Sequence, residues 1–326
     1  ILTFRDSNEL QPLNDNIDHQ HKVLYKHPLK IIERFGQLIA LHNYIKKEEY
    51  DLAISFLHPA KYLLVLACKF TNTKVIVSER GDPYAYSKYL NVFYKLIEKI
   101  TNTADGFVFQ TKEVQNYYSY KIVNKSTVIN NPIIIKNIPK QFYGKRTKEI
   151  VNVARLDVFQ KRQDILLKAF AKISKKYDQY ILKFYGDGPD EYKLKKLAEE
   201  LCINDKVYFM GYVENVLKLI NNASIFILSS DFEGIPNALI EAMSIGMPCI
   251  STDCSPGGAR LLINHNENGL LVPINNPTEL ATAMDYMLSN PKEADRMACN
   301  AMKILNEFKE EKIYGEWEKF INEIIC

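Results

Sequence analysis

Short apolar runs alternate along the chain with longer stretches whose apolar residues recur at helical spacing. In the first half, residues 51–57 (DLAISFL), 74–78 (KVIVS), 106–110 (GFVFQ) and 127–130 have the length and the branched or aromatic content of strands. Ile1 to Phe4 has the same character, as of a strand already in progress. Helical patterns fill 29–47, 60–70 and 88–100. The second half repeats the rhythm, with strands predicted at 149–154, 181–185, 207–210, 224–229, 248–251 and 269–272. Helices are predicted at 162–176, 191–201, 214–220, 237–245, 277–289 and 292–306, and a last one at about 309–325 carries Trp317. Strand–helix alternation of this kind predicts parallel sheets covered by helices on both faces. The expected fold class is therefore α/β, with two doubly wound, Rossmann-like domains facing a cleft.

The alternation lapses over 131–147 (NPIIIKNIPKQFYGKRT), where prolines, a glycine and basic residues stand without periodicity, and the linker is placed there. The expected division is a first domain over 1–146, a second over 147–307, and a helix over 308–326 crossing back to the first. Charge changes at the same point: residues 1–146 hold 21 Lys+Arg and 13 Asp+Glu, net +8, and residues 147–326 hold 21 and 26, net −5. The two halves thus have different electrostatic tasks. No run of about 18 apolar residues predicts a membrane span. The six cysteines are scattered, with no C-x-x-C pair and no zinc-like Cys/His cluster, which fits a reduced cytoplasmic setting. Nucleic acid is disfavoured by the absence of a motif and by the acidic second half.

Ligands of doubly wound domains bind beyond the carboxyl ends of the strands, so the chemistry is sought there. The strand at 224–229 runs into DFEGIPNALIEAMSIGMPC, Asp231 to Cys249. Pro236 suits the first position of the following helix, where its missing N–H costs nothing. Free N–H groups at that helix start make a site for a diphosphate. Glu233 precedes the helix and Glu241 lies about a turn and a half inside it, so the two carboxylates straddle a ligand and accept hydrogen bonds from hydroxyls, as a sugar offers. Arg155 ends the first strand of the second half and Lys161 precedes the next helix. They are either an ordinary surface pair or a cationic pair aimed at the same crevice.

Glu233-Gly234-Ile235-Pro236-Asn237 through Glu241-Ala242-Met243 resembles the E-x7-E signature of retaining glycosyltransferase family 4, nucleotide-sugar-dependent enzymes of GT-B architecture. The resemblance covers about residue 74 to the C-terminus. It implies that Glu233 holds donor-sugar hydroxyls and Glu241 the nucleotide ribose. Gly234, Ile235, Pro236, Asn237, Ala238 and Leu239 then line the donor, while Arg155 and Lys161 hold its phosphates. The sequence Gln160-Lys161-Arg162 departs from the family's frequent Lys-Gly, so Arg162 either assists or replaces Lys161. Gly186, in Gly186-Asp187-Gly188-Pro189, and Gly211 end strands beside the nucleotide, and Ser255-Pro256-Gly257-Gly258 resembles the Gly-rich loop near the donor sugar. On the acceptor side stand Glu79 and Arg80, in Ser78-Glu79-Arg80-Gly81-Asp82-Pro83, together with His58; an Arg80–Asp82 ion pair fixing the turn is the alternative there.

The resemblance implies a retaining hexosyltransferase using a nucleotide-sugar, expected to be a UDP-sugar, as co-substrate. Its acceptor is a glycan or polyprenyl-linked glycan of cell-surface polysaccharide, such as a capsule. No further cofactor and no metal are expected, since no Asp-x-Asp stands at a strand end. The family's opening strand and Gly-Gly loop have no counterpart from Ile1 on, so the first domain is expected to be N-terminally incomplete. The +8 charge and the mixture of Lys22, Lys26, Lys30, Arg34, Lys46 and Lys47 with apolar residues fit two readings. One is a peripheral contact with anionic lipid at the inner membrane face; the other is amphipathic helices covering a sheet. A nucleotide-sugar epimerase on the same scaffold and a non-catalytic sugar-binding remnant are the rival functions.

Overall fold

The computed structural model describes residues 2–3, 20–21, 30–56, 60–84, 98–133 and 139–326. Strands β1 (Leu2–Thr3) and β2 (Gln20–His21) form a short parallel pair. Strands β3 (Leu52–Ser55), β4 (Lys74–Glu79), β5 (Gly106–Phe109) and β6 (Ser126–Val128) form a parallel sheet in that order. The second sheet comprises β7 (Glu149–Val153), β8 (Ile181–Tyr185), β9 (Val207–Phe209), β10 (Ile225–Leu228), β11 (Cys249–Thr252) and β12 (Leu270–Val272). All its pairings are parallel, in the order β12-β11-β10-β7-β8-β9.

The apolar runs explain why the sheets are sandwiched. All four residues of β10 are buried. Successive side chains of a strand point to opposite faces. Ile225 and Ile227 accordingly join the core made with Leu166 and Phe170 of the helix Gln163–Ile173 and Met284 of the helix Pro277–Ser289. Phe226 and Leu228 join the opposite core, with Leu239 and Met243 of the helix Asn237–Ser244. In the first sheet, Val75 and Val77 of β4 pack with Leu41 of the helix Lys30–Glu48 and Val65 of the helix Ala60–Ala67. Ile76 faces the other way, onto Ile313 and Phe320 of the helix Glu310–Ile325, which lies across the first sheet.

The order of the second sheet reverses between β7 and β10. Loops leaving the carboxyl ends of these neighbours diverge to opposite faces, which opens a crevice between them. The predicted helix at 292–306 is in fact two, Pro291–Ala301 and Ile304–Glu307. The turn between them brings Ile304 and Phe308 into the core and lets Phe308 O accept from Ile133 N at 2.8 Å. The short helices Lys112–Tyr117 and Tyr120–Val123 were not predicted, being too brief for a period to show. Of the helix predicted at 88–100, only 98–100 are described, and they are helical.

Candidate active site

Two loops meet at the reversal. After β7, Arg155 is exposed, and its guanidinium has no ion pair among the described residues. Its backbone is fixed, because Arg155 O accepts from Gln163 Nε2 at 2.8 Å and the next residue, Leu156, donates N–H to Asp187 O at 2.8 Å. After β10, Ser229 Oγ donates to Lys161 O at 2.8 Å and Asp231 N–H to Gln160 O at 2.9 Å, so the two loops are laced together. Lys161 Nζ then lies 2.5 Å from Glu233 Oε1. Ser230 Oγ donates to the same oxygen at 2.6 Å, and Gln160 Nε2 to Oε2 at 3.3 Å. With three donors on one buried carboxylate, Glu233 is fixed in orientation before any ligand arrives.

The helix that follows spans Asn237–Ser244. Pro236 is its N-cap, not its first residue as the sequence suggested, because ψ of 98° leaves it extended. Its carbonyl accepts from Leu239 N and Ile240 N at 3.0 and 3.2 Å. The N–H groups of Asn237 and Ala238 have no protein partner among the described residues, leaving donors and the positive end of the helix dipole at the crevice. The side chains of Ile235 and Leu239 are core, and Ile235 N–H is taken by Gln110 Oε1 at 3.3 Å. Two of the expected donor contacts therefore belong to the scaffold. Glu241 is half-buried, and its carboxylate accepts no hydrogen bond among the described residues. Burial alone holds its pKa above the ordinary carboxylate value.

Two glycines have clear steric reasons. A Cβ on Gly234 would collide with Arg80 O and with Gln110, so glycine lets the first domain approach this loop. Gly186 has φ +125°, a Cβ there would strike Ala154 O, and its N–H donates to Gly211 O at 2.8 Å. Gly186 and Gly211 thus meet beside the strand that carries Arg155. The Gly-rich loop is paired to the glutamate loop, with Glu233 N–H donating to Ser255 O at 2.7 Å.

The first-domain residues divide. Glu79, expected toward the acceptor, is buried, with Oε2 2.5 Å from Lys61 Nζ and accepting from Tyr118 Oη at 3.1 Å. It shares a β4 face with Val75 and Val77, which point into the core, so it is scaffold. Arg80 lies on the other face and lines a cleft cavity of about 770 Å³ together with Glu233, Gly234, Asn237, Asn131 and Trp317. The alternative Arg80–Asp82 ion pair does not form. Arg80 Nη1 donates instead to Asn131 Oδ1 at 2.7 Å, and Asn131 Nδ2 donates to Asn237 Oδ1 at 3.0 Å, joining the domains at the helix start. Asp82 is buried; Oδ1 accepts from Tyr84 N at 2.8 Å, and Oδ2 has no partner among the described residues. His58 lies outside the described residues.

Arg162 neither replaces nor assists Lys161. It is left-handed, φ 49°, and its guanidinium is held by Asp164 at 3.0 Å, Asp231 at 2.5 Å and Asn275 at 3.0 Å beside a separate cavity of about 630 Å³. A left-handed position before a helix is where glycine is the unstrained residue, which explains the sequence difference. Sequence reasoning missed Gln110 and Asn131 in the cleft. Both are polar residues just past first-sheet strands, so the strand-end rule that found Arg80 reaches them too.

Comparison with known proteins adds lineage to this geometry. Residues 134–304 match the family of glycosyl transferases group 1. An uncharacterized glycosyltransferase of Haemophilus influenzae is 30% identical over 282 residues, covering 85% of this chain and 78% of that protein. The GalNAc-alpha-(1->4)-GalNAc-alpha-(1->3)-diNAcBac-PP-undecaprenol alpha-1,4-N-acetyl-D-galactosaminyltransferase of Campylobacter jejuni is 28% identical over 298 residues, 90% of this chain and 81% of its own length. The crystal structure of Anabaena HepE in complex with UDP-glucose is similar with a TM-score of 0.81 at 18% identity, over 93% of this chain and 86% of that one, a likeness of fold. The chain belongs to the glycosyl transferases group 1 family, and its two parallel-sheet domains have the GT-B fold.

Proposed function

We propose that the chain is a retaining glycosyltransferase that moves a hexosyl unit from a UDP-sugar to a glycan or lipid-linked acceptor in cell-surface polysaccharide synthesis. The observation that carries this reading is the Lys161–Glu233 ion pair at the strand reversal, next to the unpaired Arg155. A departing diphosphate gathers negative charge; Arg155, Lys161 and the N–H groups of Asn237 and Ala238 stabilise it. Glu233 fixes sugar hydroxyls on the other side of Lys161. Glu241 accepts from the ribose hydroxyls, a role for which its unpartnered carboxylate is ready. The acceptor hydroxyl attacks from the face that the diphosphate leaves. Its proton passes to the leaving phosphate oxygen, and no protein nucleophile takes part. Protein groups alone neutralise the phosphates in this scheme, so EDTA leaves the rate unchanged. The nucleotide-sugar is a co-substrate.

The acceptor enters from the first domain, through the cavity beside Arg80. By its name, the Campylobacter relative extends an undecaprenyl-diphosphate-linked glycan, which supports a lipid-linked acceptor here. No described helix is long and apolar enough to cross a membrane. The helix Lys30–Glu48 leaves Ile32, Phe35 and Ile39 exposed on one side, alongside Arg34. On a net +8 half-chain, that side suits peripheral contact with anionic lipid.

The test is turnover of UDP-hexoses followed by NMR, with a polyprenyl-diphosphate-linked saccharide as acceptor. Release of UDP together with an α-linked product from an α-donor supports the reading. Isomerisation of the donor without UDP release would make the chain an epimerase, and UDP binding without turnover would make it a binding protein.

A further inference from the structure

Arg80 and Arg162 lie in neighbouring cavities and are treated in opposite ways. Arg162 is saturated by two aspartates and an asparagine. Arg80 has no carboxylate partner among the described residues. Its two hydrogen bonds, to Asn131 Oδ1 at 2.7 Å and Ile129 O at 3.5 Å, both leave from Nη1. Among the described residues Nε and Nη2 have no hydrogen-bond partner, which leaves one edge of the guanidinium open. Two rings in mutual contact, Phe56 and Trp317 with centroids 5.7 Å apart, lie to one side of it, each centroid 5.6 Å from the guanidinium carbon. These rings supply cation–π attraction and exclude water, but no countercharge. Burial pulls the Arg80 pKa down to about 10, the mark of a desolvated cation. A cation held in this way costs free energy that a bound anion returns. The adjoining cavity, about 770 Å³, is of the size that holds a small-molecule ligand.

We propose that Arg80, beside the Phe56–Trp317 pair, is an oxyanion subsite for the acceptor: it takes a phosphate or carboxylate carried by the acceptor on its free Nε–Nη2 edge. This rests on the glycosyl-transfer reading above. The donor's own diphosphate is assigned to Arg155 and Lys161 on the other side of the cleft, so the Arg80 edge is left for the second substrate. The hydrogen-bonded line Arg80–Asn131–Asn237 ties that anion to the start of the donor helix, and fixes the acceptor against the donor.

Trp317 is the only tryptophan in the chain, so its fluorescence reports on Arg80 directly. The full chain, first saturated with UDP, is titrated with inorganic pyrophosphate, with glucuronate and with glucose. A saturable emission change is expected with an oxyanion and none with glucose. Pyrophosphate alone acting assigns a diphosphate-linked acceptor; glucuronate alone acting assigns an acidic sugar. Arg80→Gln is expected to weaken the response at least tenfold, and Arg155→Gln, which alters only the donor side, to leave it unchanged. Arg80→Lys keeps the charge without the fork, and an intermediate loss is expected; it also serves if the glutamine variant does not fold. Silence toward both anions, or a full response in the Arg80 variants, overturns the subsite. Failure of UDP to bind, with the Arg80 response intact, counts instead against the donor assignment.

Discussion

Two strand ends in this protein carry nearly the same residues. β4 runs into Ser78-Glu79-Arg80-Gly81-Asp82-Pro83, and β10 leads into Ser230-Asp231-Phe232-Glu233-Gly234-Ile235-Pro236. Each glutamate is buried, and each has a lysine 2.5 Å away. The difference lies in the lysine: the side chain of Lys61 is 8% exposed and that of Lys161 is 21% exposed. Lys61 is sealed under its sheet, while Lys161 borders the crevice where a phosphate can claim it. One pair is therefore scaffold, and the other is the pair assigned to the donor in the proposed function. Neither the burial of the glutamate nor its ion pair separates them; the exposure of the lysine does.

The comparison is broken most sharply at Glu79. Glu79→Ala leaves Lys61 charged and unpaired in the core, and stability is expected to fall by about 3–5 kcal/mol in urea unfolding. Pairing it with Lys61→Met is expected to recover most of the loss. If Glu79→Ala instead folds normally and loses transfer, Glu79 belongs to the site. Glu233→Gln should behave in the opposite way. Transfer is expected to drop about 10²–10³-fold, by analogy with the loss of one charge-stabilising group, with little change in melting temperature because Lys161 can turn to solvent.

Glu241 gives a smaller, two-signed effect. Glu241→Gln is expected to weaken UDP binding about tenfold by calorimetry, through loss of a charged acceptor. Without ligand it should stabilise the chain. Burial raises the folded pKa of Glu241, so the folded state keeps a proton that the unfolded state has lost, and stability falls as pH rises through that window. Glutamine does not ionise. Its advantage should be absent below about pH 4 and grow as the pH rises through the raised folded pKa. Arg162→Gly should do least: relief of the left-handed strain offsets the lost ties, leaving a net change within about 1 kcal/mol by thermal melt.

Much of this was legible in sequence. The four-residue apolar run of β10 announced a strand buried on both faces, and the Gly-Ile-Pro-Asn turn before an apolar helix announced the crevice. Parity was also available: Val75, Val77 and Glu79 are two apart, so a core-facing valine pair implies a core-facing glutamate and sends Arg80 the other way. The loop was instead taken as a unit, which misplaced Glu79. Three things needed coordinates. The ring contact of Arg80 depends on Trp317, 237 residues away in the chain, lying across the first sheet. The loss of Arg162 to Asp231 depends on two loops meeting. The need for glycine at 234 arises only because Arg80 O and Gln110 press on it from the other domain.

The central claim is that the crevice at the β7–β10 reversal holds the donor diphosphate, and a crystal structure with UDP bound tests it most directly. The account predicts the diphosphate within hydrogen-bond reach of Arg155 and Lys161, with Lys161 drawn from Glu233 and the ribose hydroxyls on Glu241. UDP bound elsewhere, with the Lys161–Glu233 pair intact and Glu241 unoccupied, would contradict it.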